Sequence, residues 1–511
     1  MKIELLNEPL IEFADDFLCD DPKKGISTTG FFSYSNNTHR SEIHYCVVGT
    51  KKQINSYHEL ISSFSKPIES GSKFKIKSPS LNKDISEEIE FEEYEVSETL
   101  EFEGVNKTLN PDFPGFNRNS CFKCQFQNNS DNDFVISEQN ILDDVVNADV
   151  KKSEKVVRAV ELYKSAYLEI IENCFSVVPD IIVIVVDKAI FEELSTIKVD
   201  NTWINLRRFL KAEILSLDKN IPVQLILEET ISGKKKSIQD KSMIAWNYCV
   251  AQYYKTANCT PWTIKDIDAD TCYLGISFHK INEIQDNHLR SSIAQAFNKD
   301  GKGLVFTGKQ FEWNKNKTKV TSPHLKKEYA KELISKVLLQ YKKINKHTPK
   351  RVVVHKTSSF WDSHVNEEYD ELGGMVQGIK ETLGEDTDFD LVSIKGSKIR
   401  MLRTSQYPVM RGTFMKINEE KAILYTSGYI PYYNTYPGSF IPAPLEIENI
   451  GDTPIKNICT EIFALTKMNF NNADYCDSFP ITLQFSKKVG EIIQYLPEDM
   501  ENPPNKYYHY M

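Results

Sequence analysis

Cys272-Tyr273-Leu274-Gly275-Ile276-Ser277-Phe278 is a short, largely apolar run, and a regular series of further elements follows it. Runs of this length and composition read as strands, and longer stretches with apolar residues three and four apart read as helices. On that basis further strands are expected at 304–307, 351–355, 391–395 and 422–425, and helices at 323–344, 366–382, 454–465 and 480–495. Strands interleaved with helices indicate an α/β unit beginning near Asp270.

A second such rhythm precedes it. Helical spacing over 150–173 leads into Ile181-Ile182-Val183-Ile184-Val185-Val186, which reads as a strand buried on both faces. A strand at 221–227 and a helix from near Ser242 to Lys255 follow. The first 65 residues form a β-rich lead-in whose clearest strand, 43–48, stops at Gly49. Residues 66–112 are polar, and the acidic alternation at 87–96 reads as an exposed hairpin or insertion. There is no internal repeat. A boundary just after Pro261-Trp262 divides the chain into 1–268 and 269–511.

The 511 residues carry a formal net charge of −10 and an ordinary globular share of apolar residues. Unspecific adhesion to nucleic acid depends on releasing counterions from phosphates, so any nucleic-acid site has to be a local basic groove. No apolar run is long enough for a bilayer, no signal-peptide core follows Met1, and the expected location is cytoplasmic. The ten cysteines fit reduced thiols. Cys121-Phe122-Lys123-Cys124 lacks a second pair at zinc spacing and reads as ordinary thiols after a Pro-Gly turn.

The opening strand resembles the start of the PIWI domain of Argonaute proteins, an RNase-H-type sheet. Short matches to the same family run along the chain: Leu6-Asn7-Glu8-Pro9, Cys46-Val47-Val48-Gly49-Thr50, Phe113-Pro114-Gly115-Phe116, Ile221-Pro222-Val223-Gln224, Tyr254-Lys255 before Pro261-Trp262, Met410-Arg411-Gly412, and Ala464-Leu465-Thr466-Lys467-Met468-Asn469. Each is unspecific alone, and their order and spacing carry the resemblance. It implies a Rossmann-like MID domain followed by an RNase-H-like PIWI domain, as in the short prokaryotic Argonautes that lack a PAZ domain.

Anchoring a 5′-phosphate takes several donors converging on its oxygens. Arg207 and Lys211 are four apart and share a helix face, Gln224 lies on a strand, and Lys255 ends a helix. On spacing alone these are a solvated helix face and an ordinary strand glutamine. The resemblance instead assigns all four to the guide's 5′-phosphate, with the chain's terminal carboxylate at Met511 helping to hold Mg²⁺ beside it. Lys234-Lys235-Lys236 reads as a solvated loop.

Two-metal phosphodiester cleavage needs converging carboxylates. Where active PIWI domains carry acidic or imidazole ligands, this chain aligns Ser277, Thr357 and Lys487. Two hydroxyls and a cation cannot hold two divalent ions. Glu283 and Glu312 are the candidates for the family's remaining acidic position. His355, Lys356 and Arg411 are expected to line the nucleic-acid channel, gripping sugar-phosphate without reading sequence, while a surface ion pair is the competing reading of Arg411.

The resemblance therefore implies an inactive short Argonaute that binds a guide RNA and captures complementary single-stranded DNA. It further implies a separately encoded APAZ-containing effector, a TIR or sirtuin-like NADase or a nuclease, acting in anti-plasmid and anti-phage defence. The absence of a glycine-rich dinucleotide fingerprint agrees that NAD chemistry belongs to the partner. Its docking surface is expected on the outer strands and the 66–112 insertion. The competing class is a guide-directed PIWI nuclease using displaced ligands.

Overall fold

The computed structural model describes residues 2–511 except 36–37, 72–74, 79–91, 96–107, 175–176, 200–201, 218, 220, 233–238, 258, 266, 269, 281–288, 298–302, 314–319, 321, 404–407, 439, 497–499, 501–503 and 505. All six residues of Ile181–Val186 are buried. With no polar face, the strand can only sit inside a sheet covered on both sides. It runs parallel to Val223–Leu227 on one side and to Glu42–Gly49 on the other, and Glu42–Gly49 runs parallel to Gln125–Asn128 and Phe134–Val135.

Helices Lys51–Phe64 and Lys241–Ala257 pack on one face of this sheet, through residues such as Tyr57 and Trp246. Helices Lys152–Glu172 and Leu206–Leu215 cover the other, through Tyr163 and Leu210. Thr50 and Gln53 start the first of these helices with a reciprocal cap, each side chain bonding the other's backbone N–H. The first unit is thus a doubly wound parallel sheet.

The second sheet has nine strands, in the order Lys2–Leu5, Thr413–Lys416, Lys421–Leu424, Leu445–Gly451, Asp388–Gly396, Arg351–Lys356, Thr271–Lys280, Leu289–Phe297, Gly303–Glu312. The last three form an antiparallel meander, and Arg351–Lys356 and Asp388–Gly396 run parallel to Thr271–Lys280. This is the RNase-H-type arrangement expected from the opening stretch. Helices Lys327–Asn345 and Glu371–Leu383 cover one face, and helices Ile455–Leu465 and Ile481–Ile493 cover the other. Gly275 permits that second layer, because a Cβ there would lie 2.1 Å from the carbonyl oxygen of Thr482.

Leu289–Phe297, Thr413–Lys416 and Leu445–Gly451 were not expected as strands. Their sequences are mixed or short, without a continuous apolar run like Ile181–Val186, and each pairs with neighbours on both sides. Of the 66–112 insertion, Lys75–Ser78 pairs antiparallel with Glu92–Glu95, and the acidic stretch before Glu92 lies outside the described residues.

The division at residue 268 needs one correction. Lys2–Leu5 pairs with Thr413–Lys416 and belongs to the second sheet. Just after it, Glu8 binds Arg411 at 3.0 Å and Lys467 at 2.6 Å, while the Trp262 indole donates to the Lys467 carbonyl at 2.9 Å. Backbone pairing and buried charge thus bring the two ends of the chain together, and one apolar core runs through both units. Among the described residues no helix is long and apolar enough to cross a membrane.

Candidate functional site

The four expected anchor residues come from three neighbouring elements of the first unit. Asn205 caps helix Leu206–Leu215 by accepting from Arg208 N–H, which starts the turn that carries Arg207 and, four residues on, Lys211. Gln224 is the second residue of Val223–Leu227, and Lys255 lies in the last turn of Lys241–Ala257. Lys255 Nζ donates to Gln224 Oε1 at 2.8 Å, to the Val223 carbonyl at 3.3 Å and to the main-chain oxygen of Met511 at 3.2 Å. Gln224 Oε1 also accepts from Gln252 Nε2 at 2.9 Å. The turn Tyr507–Tyr510 places Met511 here by stacking Tyr507 on Phe485.

Lys211 is 8% exposed and Lys255 2%. An ammonium moved out of water is costly unless a carboxylate pairs with it, and among the described residues neither lysine has an Asp or Glu side chain as partner, Lys255 meeting only the Met511 oxygen of the tail. Burial therefore lowers the Lys255 pKa to about 7. Lys211 is held well below its ordinary value, first by burial and then by Lys255, Arg207 and Lys488. His509 is held at about 4 by burial, with Lys506, Lys211 and Lys255 adding to it. Lys488, on helix Ile481–Ile493, is lowered by burial against the opposing pull of Asp477 and Glu491. Arg207 stays exposed at the rim, without a carboxylate partner among the described residues. The assembly is a cluster of cations, with Lys255, Arg207 and Lys488 all acting on Lys211.

Oxygen donors open to a divalent ion are few. Gln252 Oε1 is buried with no hydrogen-bond partner, and Gln224 Oε1 and the main-chain oxygen of Met511 already accept from Lys255. Among the described residues no three His, Cys, Asp or Glu side chains are grouped to hold a metal. An ion here fits only together with phosphate oxygens.

At the far end of the second sheet, Ile276 is the last residue of its strand registered against Lys356, so Ser277 and Thr357 follow one another across adjacent strand ends. Ser277 Oγ is buried without a partner, and Thr357 is exposed. Lys487 is exposed on the helix whose first turn covers Gly275. Glu312 ends an outer strand and is exposed, whereas Glu283 and Lys234-Lys235-Lys236 lie outside the described residues. Cys121 and Cys124 are free thiols, each pushed up by burial.

The expected channel residues require a correction, because none of the three faces solvent. His355 is fully buried, donates to or accepts from Thr482 Oγ1 at 2.8 Å, and is held near pKa 3 by burial. Lys356 is equally buried and ion-paired to the buried carboxylate of Glu371. Arg411 is enclosed by Glu8, the Thr426 carbonyl and Thr466 Oγ1. Each cation is neutralised from within or left uncharged, so none is available to a phosphate. Arg411 does form an ion pair, but a buried one.

No family model matches the chain. Among curated proteins it is similar to the Argonaute of Aquifex aeolicus, 22% identical over 289 residues that make up 56% of this chain and 35% of that protein. Its structure is similar to Clostridium butyricum Argonaute bound to a guide DNA and a 19-mer target DNA (TM-score 0.57, 17% identity, 98% of this chain, 53% of that one). It is likewise similar to Drosophila Piwi (TM-score 0.57, 13% identity, 99% and 56%). A third similar structure is Marinitoga piezophila Argonaute in complex with 5′ OH guide RNA (TM-score 0.54, 12% identity, 100% and 59%).

The fold is that of an Argonaute. This chain spans a little over half the length of these solved Argonaute-fold proteins and about a third of the curated one. In Argonaute terms the cationic pocket lies where the MID unit meets the helix and tail of the PIWI unit. Sequence reasoning missed Gln252, Lys488 and His509. Gln252 had a usable signal, since it precedes Lys255 by one helical turn and shares its face. Lys488 and His509 had none, because their relation to Lys211 exists only once the two units are packed.

Proposed function

We propose that the chain is a guide-dependent nucleic-acid sensor. Its pocket takes the 5′-phosphate of a guide strand, RNA by resemblance, and the guide's base pairing then captures complementary single-stranded DNA. The observation that carries this is the pair of buried lysines, Lys211 and Lys255, neither of which has an Asp or Glu partner among the described residues, with Lys255 bound to Gln224 and to Met511 of the chain's tail. A phosphate dianion would complete that arrangement, and charge-assisted bonds to it are short and strong. The guide and target strands in the Clostridium butyricum structure support the same use of the fold. A protein of this fold has also been solved with a 5′ OH guide RNA, so the phosphate preference has to be measured directly.

Lys211→Ala or Lys255→Ala is expected to weaken binding of a 5′-phosphorylated guide about tenfold or more, on the scale of a lost charge-assisted hydrogen bond, and to leave a 5′-hydroxyl guide nearly unaffected. Equal losses for both guides in a filter-binding or anisotropy titration would remove the assignment. A Mg²⁺ ion beside the phosphate would be held by phosphate oxygens together with Met511, and would add positive charge to the pocket.

The chemistry of Ser277, Thr357 and Lys487 supports a PIWI unit that binds without cutting. Guide-loaded protein with Mg²⁺ or Mn²⁺ is expected to leave a matched target intact, and guide-dependent cut sites would restore the nuclease reading. By resemblance the sensor works in the cytoplasm with an APAZ-containing partner whose TIR or sirtuin-like NADase, or nuclease, answers plasmid or phage invasion. Co-purification of that partner and target-dependent NAD loss test this part.

A further inference from the structure

With His355, Lys356 and Arg411 enclosed, the cations that remain open at that end of the second sheet lie elsewhere. Strand Asp388–Gly396 runs parallel to Arg351–Lys356, with Ser393 opposite Lys356. The chain therefore leaves the sheet close to Thr357, at the carboxyl ends of the three parallel strands. The segment it enters, Lys395-Gly396-Ser397-Lys398-Ile399-Arg400-Met401-Leu402-Arg403, holds four cations and no carboxylate in a chain of net charge −10.

Lys398 and Arg400 are exposed. Arg400 Nη1 donates only to the backbone carbonyls of Ser397 at 2.6 Å and Ile399 at 3.0 Å, and neither side chain has a carboxylate partner among the described residues. Arg403 lies over the Tyr429 ring, 4.4 Å from its centroid. Glu446 stands across the strands from Lys395, so the charge without a carboxylate partner among the described residues is that of Lys398 and Arg400.

Apolar side chains stand open at the same corner. Leu402 is 73% exposed, Phe440 86% and Ile441 59%. The Ser397 N–H donates to the Pro444 carbonyl at 2.8 Å, which joins the basic segment to the loop carrying Phe440 and Ile441. Cations interleaved with an exposed aromatic are the combination that binds a nucleic-acid strand, phosphates to the cations and base faces to the ring. Ligands of open α/β sheets also collect beyond the carboxyl ends of parallel strands.

We propose that Lys398, Arg400 and Phe440 form a contact surface for the nucleic-acid strand that pairs with a bound guide. The surface replaces the enclosed residues as the backbone grip of the second unit. It rests on the guide-binding reading above, and the test separates the two.

A 5′-phosphorylated guide is loaded first, and a labelled complementary DNA is then titrated over a range of salt. Lys398→Glu combined with Arg400→Glu is expected to leave guide affinity within about twofold. Target affinity should fall about tenfold or more, and the salt slope should flatten by about 1.5, as expected when two phosphate contacts are lost. Phe440→Ala is expected to weaken target binding about fivefold or more with the slope unchanged, since stacking is not a counterion effect. Unchanged target affinity and slope in the double variant overturn the proposal, and would leave this corner to an acidic protein partner. Failure of the unmodified protein to prefer a phosphorylated guide would overturn the guide-binding reading instead.

Discussion

Lys255 shows how one side chain reports the purpose of a pocket. Its pKa near 7 lies well below the usual lysine value because burial opposes the charged form. The unfolded chain therefore holds a proton that the folded one lacks between about pH 7 and pH 10. Stability of the free protein should rise with pH across that window, because the unfolded state binds more protons there. Binding of a phosphorylated end should run the other way. The anion favours the ammonium, so affinity is expected to fall about tenfold per pH unit above 7, where the phosphate is already a dianion and contributes little of its own. Calorimetry in buffers of different ionisation enthalpy would register the proton taken up at pH 8. Binding without pH dependence would mean that Lys255 stays out of contact with the phosphate. Lys211 and Lys255 were visible in the sequence as donors, but their missing counter-charge was not, since that depends on what else is packed around them.

Among the elements, the short segment after strand Lys2–Leu5 ties the two units together. Arg411 and Lys467 are almost fully buried, and Glu8 is the carboxylate they share. Glu8→Ala would leave two enclosed cations without it, and removing one partner of a buried ion pair costs about 3 kcal/mol or more. A lowered denaturation midpoint is expected, with the m-value unchanged if the native state stays intact. Glu8-Pro9, Met410-Arg411-Gly412 and Thr466-Lys467 were legible as motifs long before their meeting place was. A motif records residue types in order, whereas the ion pair is a contact between residues some four hundred positions apart. The same limit explains Leu289–Phe297, whose mixed sequence becomes a strand between two partners.

For the whole molecule, a pocket built from both units and a core shared between them imply one cooperative unfolding transition. A 5′-phosphorylated guide at about a hundred times its dissociation constant should stabilise that transition by about 2.7 kcal/mol, and the whole chain should respond as one. Two separated transitions, with only one of them shifted, would contradict a pocket shared between the units. By itself the sequence determined the α/β class, the central buried strand Ile181–Val186, the helices of the second unit, and the neutral or cationic chemistry at Ser277, Thr357 and Lys487, because periodicity and residue type are local properties, whereas Lys51–Phe64 lies in what reads as a β-rich lead-in and is a helix. Only the tertiary structure decided which cations face an anion. It enclosed His355, Lys356 and Arg411 with partners of their own, left Lys211 and Lys255 buried without an Asp or Glu partner among the described residues, and opened Lys398 and Arg400 to solvent. Burial and pairing are properties of the packed chain, and the same residue type reads as a satisfied core charge in one place and as an open binding group in another.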